Sequence, residues 1–289
     1  MIKTIAATAL ALIAFAANSV LCRMALGEGA IDPSSFTGIR LLTGAAVLFG
    51  IVRLRSAGAD SATKGSWAAT LALFLYAITF SFAYISLDTG TGALILFGSV
   101  QITMIVLSLV SGTRLHISEW TGVAVAFTGF VYLILPGVTA PSVAGCALMT
   151  VAGMAWGIYT LKGRGSKNPL TDTAYNFFRT LPFVIMLVLI SMKAADLSSE
   201  GILLAMLSGG IASGIGYTIW YIALGGLSAT QAAVLQLLVP VIAALGGILF
   251  VSETPTLRLG ISAALILGGI LLVVLGRYYF VQFRPDNGA

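Results

Sequence analysis

Charge is what this 289-residue chain has least of: Asp, Glu, Lys and Arg together make up 9 % of it. A water-soluble domain of this length carries about a quarter charged residues, so a soluble fold is excluded. Histidine is nearly missing. His116 is the single copy, and no HExxH or other ligand spacing surrounds it, which removes the usual metal chemistry. The two cysteines, Cys22 and Cys146, each sit inside an apolar run without CxxC spacing, and read as small packing residues. No carboxylate pair falls within an apolar run. Intramembrane catalysis therefore lacks its residues, and so does a proton relay of Asp, Glu and His. The glycines lie in apolar segments rather than in a phosphate-binding loop, so neither a cofactor nor an ATPase subunit is implied.

What fills the chain instead is hydrocarbon, with 58 % hydrophobic residues and a mean hydropathy of +1.03. Ten apolar stretches centre on about 4–26, 36–55, 66–87, 90–111, 117–136, 142–162, 173–193, 201–224, 228–251 and 257–280. Each approaches the roughly 20 residues needed to cross a hydrocarbon core about 30 Å thick. A spanning segment must satisfy its own backbone, so these are helices. Runs this long, without polar alternation, exclude a barrel. Asp88-Thr89 and Gly225-Gly226 are turns too short for anything but antiparallel hairpins. Met1-Ile2-Lys3 and the following Ala/Leu run resemble a signal peptide, and Ser19-Val20-Leu21-Cys22 a lipoprotein site. Leu21 is too large for such cleavage and the apolar run continues to Leu26, so this segment is kept as the first helix.

Orientation follows the basic residues. With the N-terminus in the cytoplasm, the inner ends carry Lys3, Arg53, Arg55, Lys64, Arg114, Lys162, Arg164, Lys167, Arg179, Arg277 and Arg284. Only Arg23, Arg40, Lys193 and Arg258 fall outside. Both termini are then cytoplasmic in a multi-pass protein of the bacterial inner membrane. The pI of 9.4 reflects this asymmetry and not a nucleic-acid partner.

The second half repeats the first. Ser34 and Asp172, each suited to cap a helix start, stand 138 apart; Arg40 and Arg179 stand 139 apart. Tyr84 and Tyr221, and Thr91 and Ser228, are both separated by 137. The unit is five helices, an odd number, so residues 139–289 enter the membrane inverted relative to residues 1–138. The expected fold is thus an all-α polytopic membrane protein, ten helices in two inverted five-helix repeats around a central cavity. Such repeats are a transporter architecture.

Here the chain resembles the drug/metabolite transporter superfamily, in its ten-helix members built of two EamA-type repeats. The resemblance is carried by Phe36-Thr37-Gly38-Ile39-Arg40 and Tyr175-Asn176-Phe177-Phe178-Arg179, by Tyr221-Ile222-Ala223-Leu224 with Ser228-Ala229-Thr230-Gln231 and Pro240, and by Glu253, Leu259-Gly260 and Gly268-Gly269. The first repeat departs from this pattern, with Leu115 where Glu253 falls and Ile102 where Pro240 falls. The resemblance implies a secondary carrier working by alternating access, most similar to YddG-type exporters of aromatic and other neutral amino acids.

Polar and aromatic residues at mid-span are the candidate substrate contacts: Asn18, Tyr84, Gln101, Trp156, Tyr159, Tyr221 and Gln236. Tyr76, Phe80 and Tyr84 recur every fourth residue and share one helix face. Pro240 has no N–H, so the carbonyl of Gln236 loses its helical partner; substrate or a neighbouring helix can satisfy it, and both readings stand open. The aromatic residues likewise fit either a cavity wall or ordinary packing. Tyr221 is preferred to its neighbour Trp220 as the residue facing the centre. Arg40 and Arg179 read first as interfacial anchors, being close enough to their helix starts to snorkel. Gly153, Gly157, Gly210 and Gly214 permit close helix approach, while Gly98 and Pro240 are candidate hinges.

Aromatic walls with a few amides suit a small, largely apolar zwitterion, and the absence of a Lys/Arg cluster at mid-depth disfavours phosphorylated substrates. The expected partners are neutral or aromatic amino acids and the lipid bilayer, with the chain acting as a monomer. An exporter of lipophilic drugs or other metabolites is the nearest alternative. An enzyme built on Arg114, His116 and Glu119, or a scaffold without transport, are further ones.

Overall fold

Backbone amides in lipid must be paired within their own segment, and the chain meets this with helices throughout. The computed structural model describes residues 2–55, 64–110, 112, 116–135, 140–163, 166–192, 195–227 and 229–277. In chain order the elements are α1 (Ile2–Gly27), α2 (Pro33–Arg55), α3 (Trp67–Ala83), α4 (Thr89–Val110), α5 (Ile117–Ile134), α6 (Val143–Gly163), α7 (Pro169–Arg179) and α8 (Leu181–Ser191). They continue with α9 (Ser199–Met206), a π-helix (Leu207–Ile215), α10 (Gly216–Leu224), α11 (Ala229–Gln236), α12 (Val239–Phe250) and α13 (Leu257–Arg277). Among the described residues eight segments are long and apolar enough to cross a membrane, and the shorter apolar helices Trp67–Ala83 and Val234–Phe250 fall where the other two crossings are expected. The protein is an all-α, multi-pass membrane protein. Ser228, Leu115, Arg114, Arg164, Lys193, Tyr278, Tyr279 and Arg284 lie outside the described residues.

Two crossings are interrupted at prolines and a third departs from α-helical pitch among the described residues. Pro182 ends the run of α7 at Thr180, because its ring displaces the carbonyl four residues back and offers no N–H. Pro240 does the same between α11 and α12, where Leu237 and Leu238 close tight turns onto the carbonyls of Val234 and Leu235. The eighth crossing is continuous but widens into the π-helix over Leu-Ser-Gly-Gly-Ile-Ala-Ser-Gly-Ile. By contrast α4 runs as one helix through Gly98, where an added Cβ would lie 3.3 Å from Ile266.

Two expected caps are replaced. Asp32, not Ser34, caps α2, its Oδ1 accepting from the amides of Ser34 and Ser35 at 3.0 Å each. Asn168 caps α7, leaving Asp172 inside the first turn and free for other contacts.

Helices in lipid associate through small residues that let backbones approach. At the α5–α13 contact a Cβ on Gly122 would lie 2.5 Å from the Gly269 carbonyl oxygen, and one on Gly269 2.5 Å from the Gly122 carbonyl oxygen, so both helices depend on glycine there. Gly153 and Gly157 admit α4, and Gly210 and Gly214 admit Val47, as packing requires. The helix pairings have a pattern. α1 packs on the α9–π–α10 crossing as α6 packs on α3, and α1 meets α12 as α6 meets α4. The α2–α7, α4–α12 and α5–α13 pairs each map onto themselves when first and last five crossings are exchanged.

Candidate functional site

A cavity of about 1150 Å³ runs into the molecule from one end and stops short of the other. Its mouth is rimmed by Ser66, Lys162, Ser166, Lys167 and Asp172, at the end of the molecule where α3 and α7 begin and α6 stops. Asp172 is already engaged there, its Oδ1 accepting from the Gly65 amide at 2.8 Å and its Oδ2 from the Ser166 hydroxyl at 2.5 Å.

The middle of the cavity is aromatic. Trp156, carried by α6, stacks on Tyr159 (centroids 5.2 Å apart, planes at 29°) and on Tyr217 of α10 (5.4 Å, 23°). Tyr76 of α3 completes the group with its ring centroid 4.8 Å from that of Trp156. Phe15 of α1 closes against Tyr217 and Trp220. The hydroxyls are directed by α7, with Tyr221 Oη 2.9 Å and Tyr159 Oη 3.4 Å from Thr173 Oγ1. Aromatic faces of this kind accept apolar groups, and Trp and Tyr also receive cations over their rings. Amides supply polarity: Gln236 reaches the wall at the α11–α12 break, and Gln101 of α4 presents a buried Nε2 without a hydrogen-bond partner among the described residues.

The inner end holds the one feature most at odds with the sequence reading. Arg40 does not snorkel to an interface; it is 2 % exposed. Its Nη2 donates to the Tyr76 hydroxyl at 2.9 Å, and its Cζ lies 4.8 Å from the Phe80 ring centroid and 5.2 Å from that of Tyr76. A guanidinium has only donors, so the Asn18 atom 3.1 Å from Nη2 is the amide oxygen, which fixes that side chain's orientation. Asn18 Nδ2 then donates to the Ser208 hydroxyl at 2.6 Å, and Ser213 donates back to Oδ1 at 3.1 Å. Both serines come from the π-helix, whose Gly209 lies so close to α2 that a Cβ would strike the Arg40 carbonyl oxygen. Arg179, the repeat counterpart, is half-buried over the Trp67 ring and plays no such part.

Beyond Arg40 the cavity is closed by a polar knot. Arg23 Nε lies 3.3 Å from Glu253 Oε1 and Nη2 lies 3.6 Å from Asp88 Oδ1. Arg23 Nη1 also donates to the carbonyls of Tyr84 and Ile85. Glu253 accepts from the Thr89 amide at 2.8 and 3.0 Å and from its hydroxyl at 3.0 Å, so a carboxylate from after α12 caps α4. At the same end Ile31 pairs with Leu197, tying the α1–α2 loop to the α8–α9 loop.

Of the residues singled out from sequence, Asn18, Gln101, Trp156, Tyr159, Tyr221 and Gln236 all line this cavity. Tyr84 does not. It is fully buried under the polar knot, its hydroxyl donating to the Thr89 carbonyl at 3.3 Å, because α3 ends one residue before it and turns away from the cavity. Trp220 reaches the wall alongside Tyr221, so the two are not exclusive. Arg40, Ser208 and Ser213 were missed as site residues. The trace that could have found Arg40 is its register with Thr37 and Gly44, three and four residues away on one helix face. His116 and Glu119 form a reciprocal cap at the start of α5.

The model of the EamA-like transporter family matches residues 143–275. The uncharacterized protein PA1977 of Pseudomonas aeruginosa is 46 % identical over 275 residues, covering 95 % of this chain and 96 % of its own. An uncharacterized transporter of Archaeoglobus fulgidus is 26 % identical and covers 93 % of this chain and 96 % of its own. A probable amino-acid metabolite efflux pump of Escherichia coli is 25 % identical, covering 72 % of this chain and 74 % of its own. A crystal structure at 18 % identity superposes with a TM-score of 0.63 over 94 % of this chain and 98 % of that one, which shows a shared fold. With a solvent-reaching cavity inside a bundle of apolar helices and relatives of this kind, the chain belongs to the EamA-like transporter family of the drug/metabolite transporter superfamily.

Proposed function

We propose that the protein is a secondary carrier that exports small, largely apolar metabolites, aromatic and other neutral amino acids among them, by alternating access. The observation that carries this reading is a central cavity, open at one end and knotted shut by Arg23, Asp88, Thr89 and Glu253 at the other. The mouth lies at the end holding Lys64, Lys162 and Lys167, which the basic-residue asymmetry assigns to the cytoplasm. On that assignment both termini are cytoplasmic, the membrane is the bacterial inner one, and the structure is the loading state of an exporter.

The exchangeable helix pairings support two inverted halves, residues 1–138 and 139–289, each able to take up the arrangement of the other. Rocking between the two would break the knot and close the mouth. The interrupted crossings α7–α8 and α11–α12 are the weak points about which this can occur, with Pro240 as the hinge. Stacked Trp156, Tyr159 and Tyr217 receive an apolar side chain, and Gln101 and Gln236 orient its polar end. The Escherichia coli relative is named a probable amino-acid metabolite efflux pump, which supports export of amino-acid-like molecules.

A lipophilic-cation exporter is the competing reading, and Asp172 in the cavity wall is the observation in its favour. Both oxygens of that carboxylate are taken by Gly65 and Ser166, which leaves it a poor counter-ion. The test is counterflow of labelled phenylalanine into proteoliposomes preloaded with unlabelled phenylalanine. Uptake that disappears in Trp156→Ala and Gln236→Ala supports the amino-acid reading. No counterflow with any neutral amino acid, from protein shown to be folded, overturns it.

A further inference from the structure

A charge held inside a membrane protein is costly and is retained where it meets a partner or a substrate. Arg40 meets no partner of opposite sign: the ion pairs among the described residues both belong to Arg23. Its contacts are a phenol, an amide oxygen and two ring faces, all neutral. Its Nη1 is buried without a hydrogen-bond partner among the described residues. A guanidinium stays protonated in proteins, so a full positive charge stands uncompensated directly behind Tyr76, Phe80 and Asn18, three residues of the cavity wall. Gln101 Nε2, in the same wall, is a second donor left open. The open donor in the wall calls for an acceptor, and the uncompensated charge behind the wall favours one that is an anion.

Resting on the carrier reading above, we propose that Arg40 makes the cavity selective for molecules bearing a carboxylate, which docks at the Asn18–Tyr76 end under its charge. A single guanidinium matches a monoanion; a phosphate dianion would leave one charge unmet. The neighbouring Trp156 and Tyr217 faces then lie beside the substrate's α-carbon. They can take an ammonium over the ring or an apolar side chain against it, so zwitterionic amino acids and simple aromatic carboxylates both fit, whereas amines without a carboxylate do not. Arg40 is a positioning residue, since Tyr76 and Asn18 stand between it and the cavity.

Calorimetric titration of the detergent-purified protein with three ligands of one shape tests this: phenylalanine, 3-phenylpropionate and 2-phenylethylamine. The first two are expected to bind and the third at least about 10-fold more weakly, since the buried charge attracts the carboxylates across one layer of side chains and repels a lone ammonium. Arg40→Lys keeps that order. Arg40→Met, if monodisperse, weakens the two carboxylates roughly 10- to 100-fold and abolishes the preference, which a purely structural arginine would not do. Should Arg40→Met fail to fold, Tyr76→Phe serves instead. Tyr76 Oη accepts from Arg40, which leaves its O–H as the donor to a docked carboxylate, so its loss weakens the carboxylates and leaves 2-phenylethylamine unchanged. Equal or tighter binding of 2-phenylethylamine to the unmodified protein overturns the role of Arg40 and leaves the carrier reading standing. Binding of none of the three overturns the amino-acid reading, and the role of Arg40 with it.

Discussion

Removing the charge of Glu253 should open the closed end of the cavity. The carboxylate does three things at once: it pairs with Arg23 at 3.3 Å, accepts twice from the Thr89 amide, and accepts from the Thr89 hydroxyl. Arg23 and Glu253 are 19 % and 13 % exposed, so the pair is partly shielded from water and worth more than a surface ion pair. Glu253→Gln keeps one oxygen for Thr89 but turns an NH₂ toward a guanidinium that has only donors. The loss is that of a charge-assisted hydrogen bond, about 2 kcal/mol, which is roughly a 30-fold change in the ratio of open to closed forms. The assay is a single cysteine at Leu96, in the cavity wall, with Cys22 and Cys146 replaced, labelled by a membrane-impermeant maleimide from the Glu253 side. Labelling should rise by about that factor in the variant and fall again when a substrate is supplied from the mouth side. Unchanged labelling in a folded Glu253→Gln protein would show that the knot does not hold the closed end, and the alternating-access argument would lose its gate.

Gly209→Ala places a methyl group against the Arg40 carbonyl and the Thr43 hydroxyl, so thermal unfolding in detergent should show a destabilisation of about 1–3 kcal/mol. An unchanged midpoint would mean that the π-helix can withdraw from α2 at no cost. Pro240→Ala restores the N–H that the Gln236 carbonyl lacks; counterflow should slow while thermal stability holds or rises, and full-rate transport would remove Pro240 as a hinge. His116→Ala deletes a helix cap, worth about 1 kcal/mol, and should leave counterflow intact; loss of counterflow at retained fold would return His116 to the functional residues.

The crossings were legible because lipid leaves little choice. Twenty apolar residues in a bilayer must become a helix whatever surrounds them, and Pro240 must interrupt one wherever it lies, since a missing N–H is a local fact. Trp156, Tyr159, Tyr221, Asn18 and both glutamines were recoverable on the same ground, for polar and amphipathic side chains at mid-span need a polar or hollow place to go. Arg40 and Tyr84 were not legible for a common reason: the pattern along one helix speaks only for that helix, and the place of each side chain is decided by another. Seven residues into α2 is about 10 Å from its start, within reach of an interface for a free arginine. Tyr76, Phe80 and Asn18 offer that guanidinium a hydroxyl, a ring face and an amide oxygen closer at hand. Tyr84 shares a face with Tyr76 and Phe80, yet α3 ends at Ala83 because Arg23 claims the carbonyls of Tyr84 and Ile85 for the knot. The repeat argument pulled in the wrong direction at both positions. It made Tyr84 the equal of Tyr221 and Arg40 the equal of Arg179, when a carrier caught with one end open must have its equivalent residues in unequal surroundings. If the halves do exchange, the state with the opposite end open should carry the converse assignment, with Tyr84 at the cavity and Tyr221 buried in the closure.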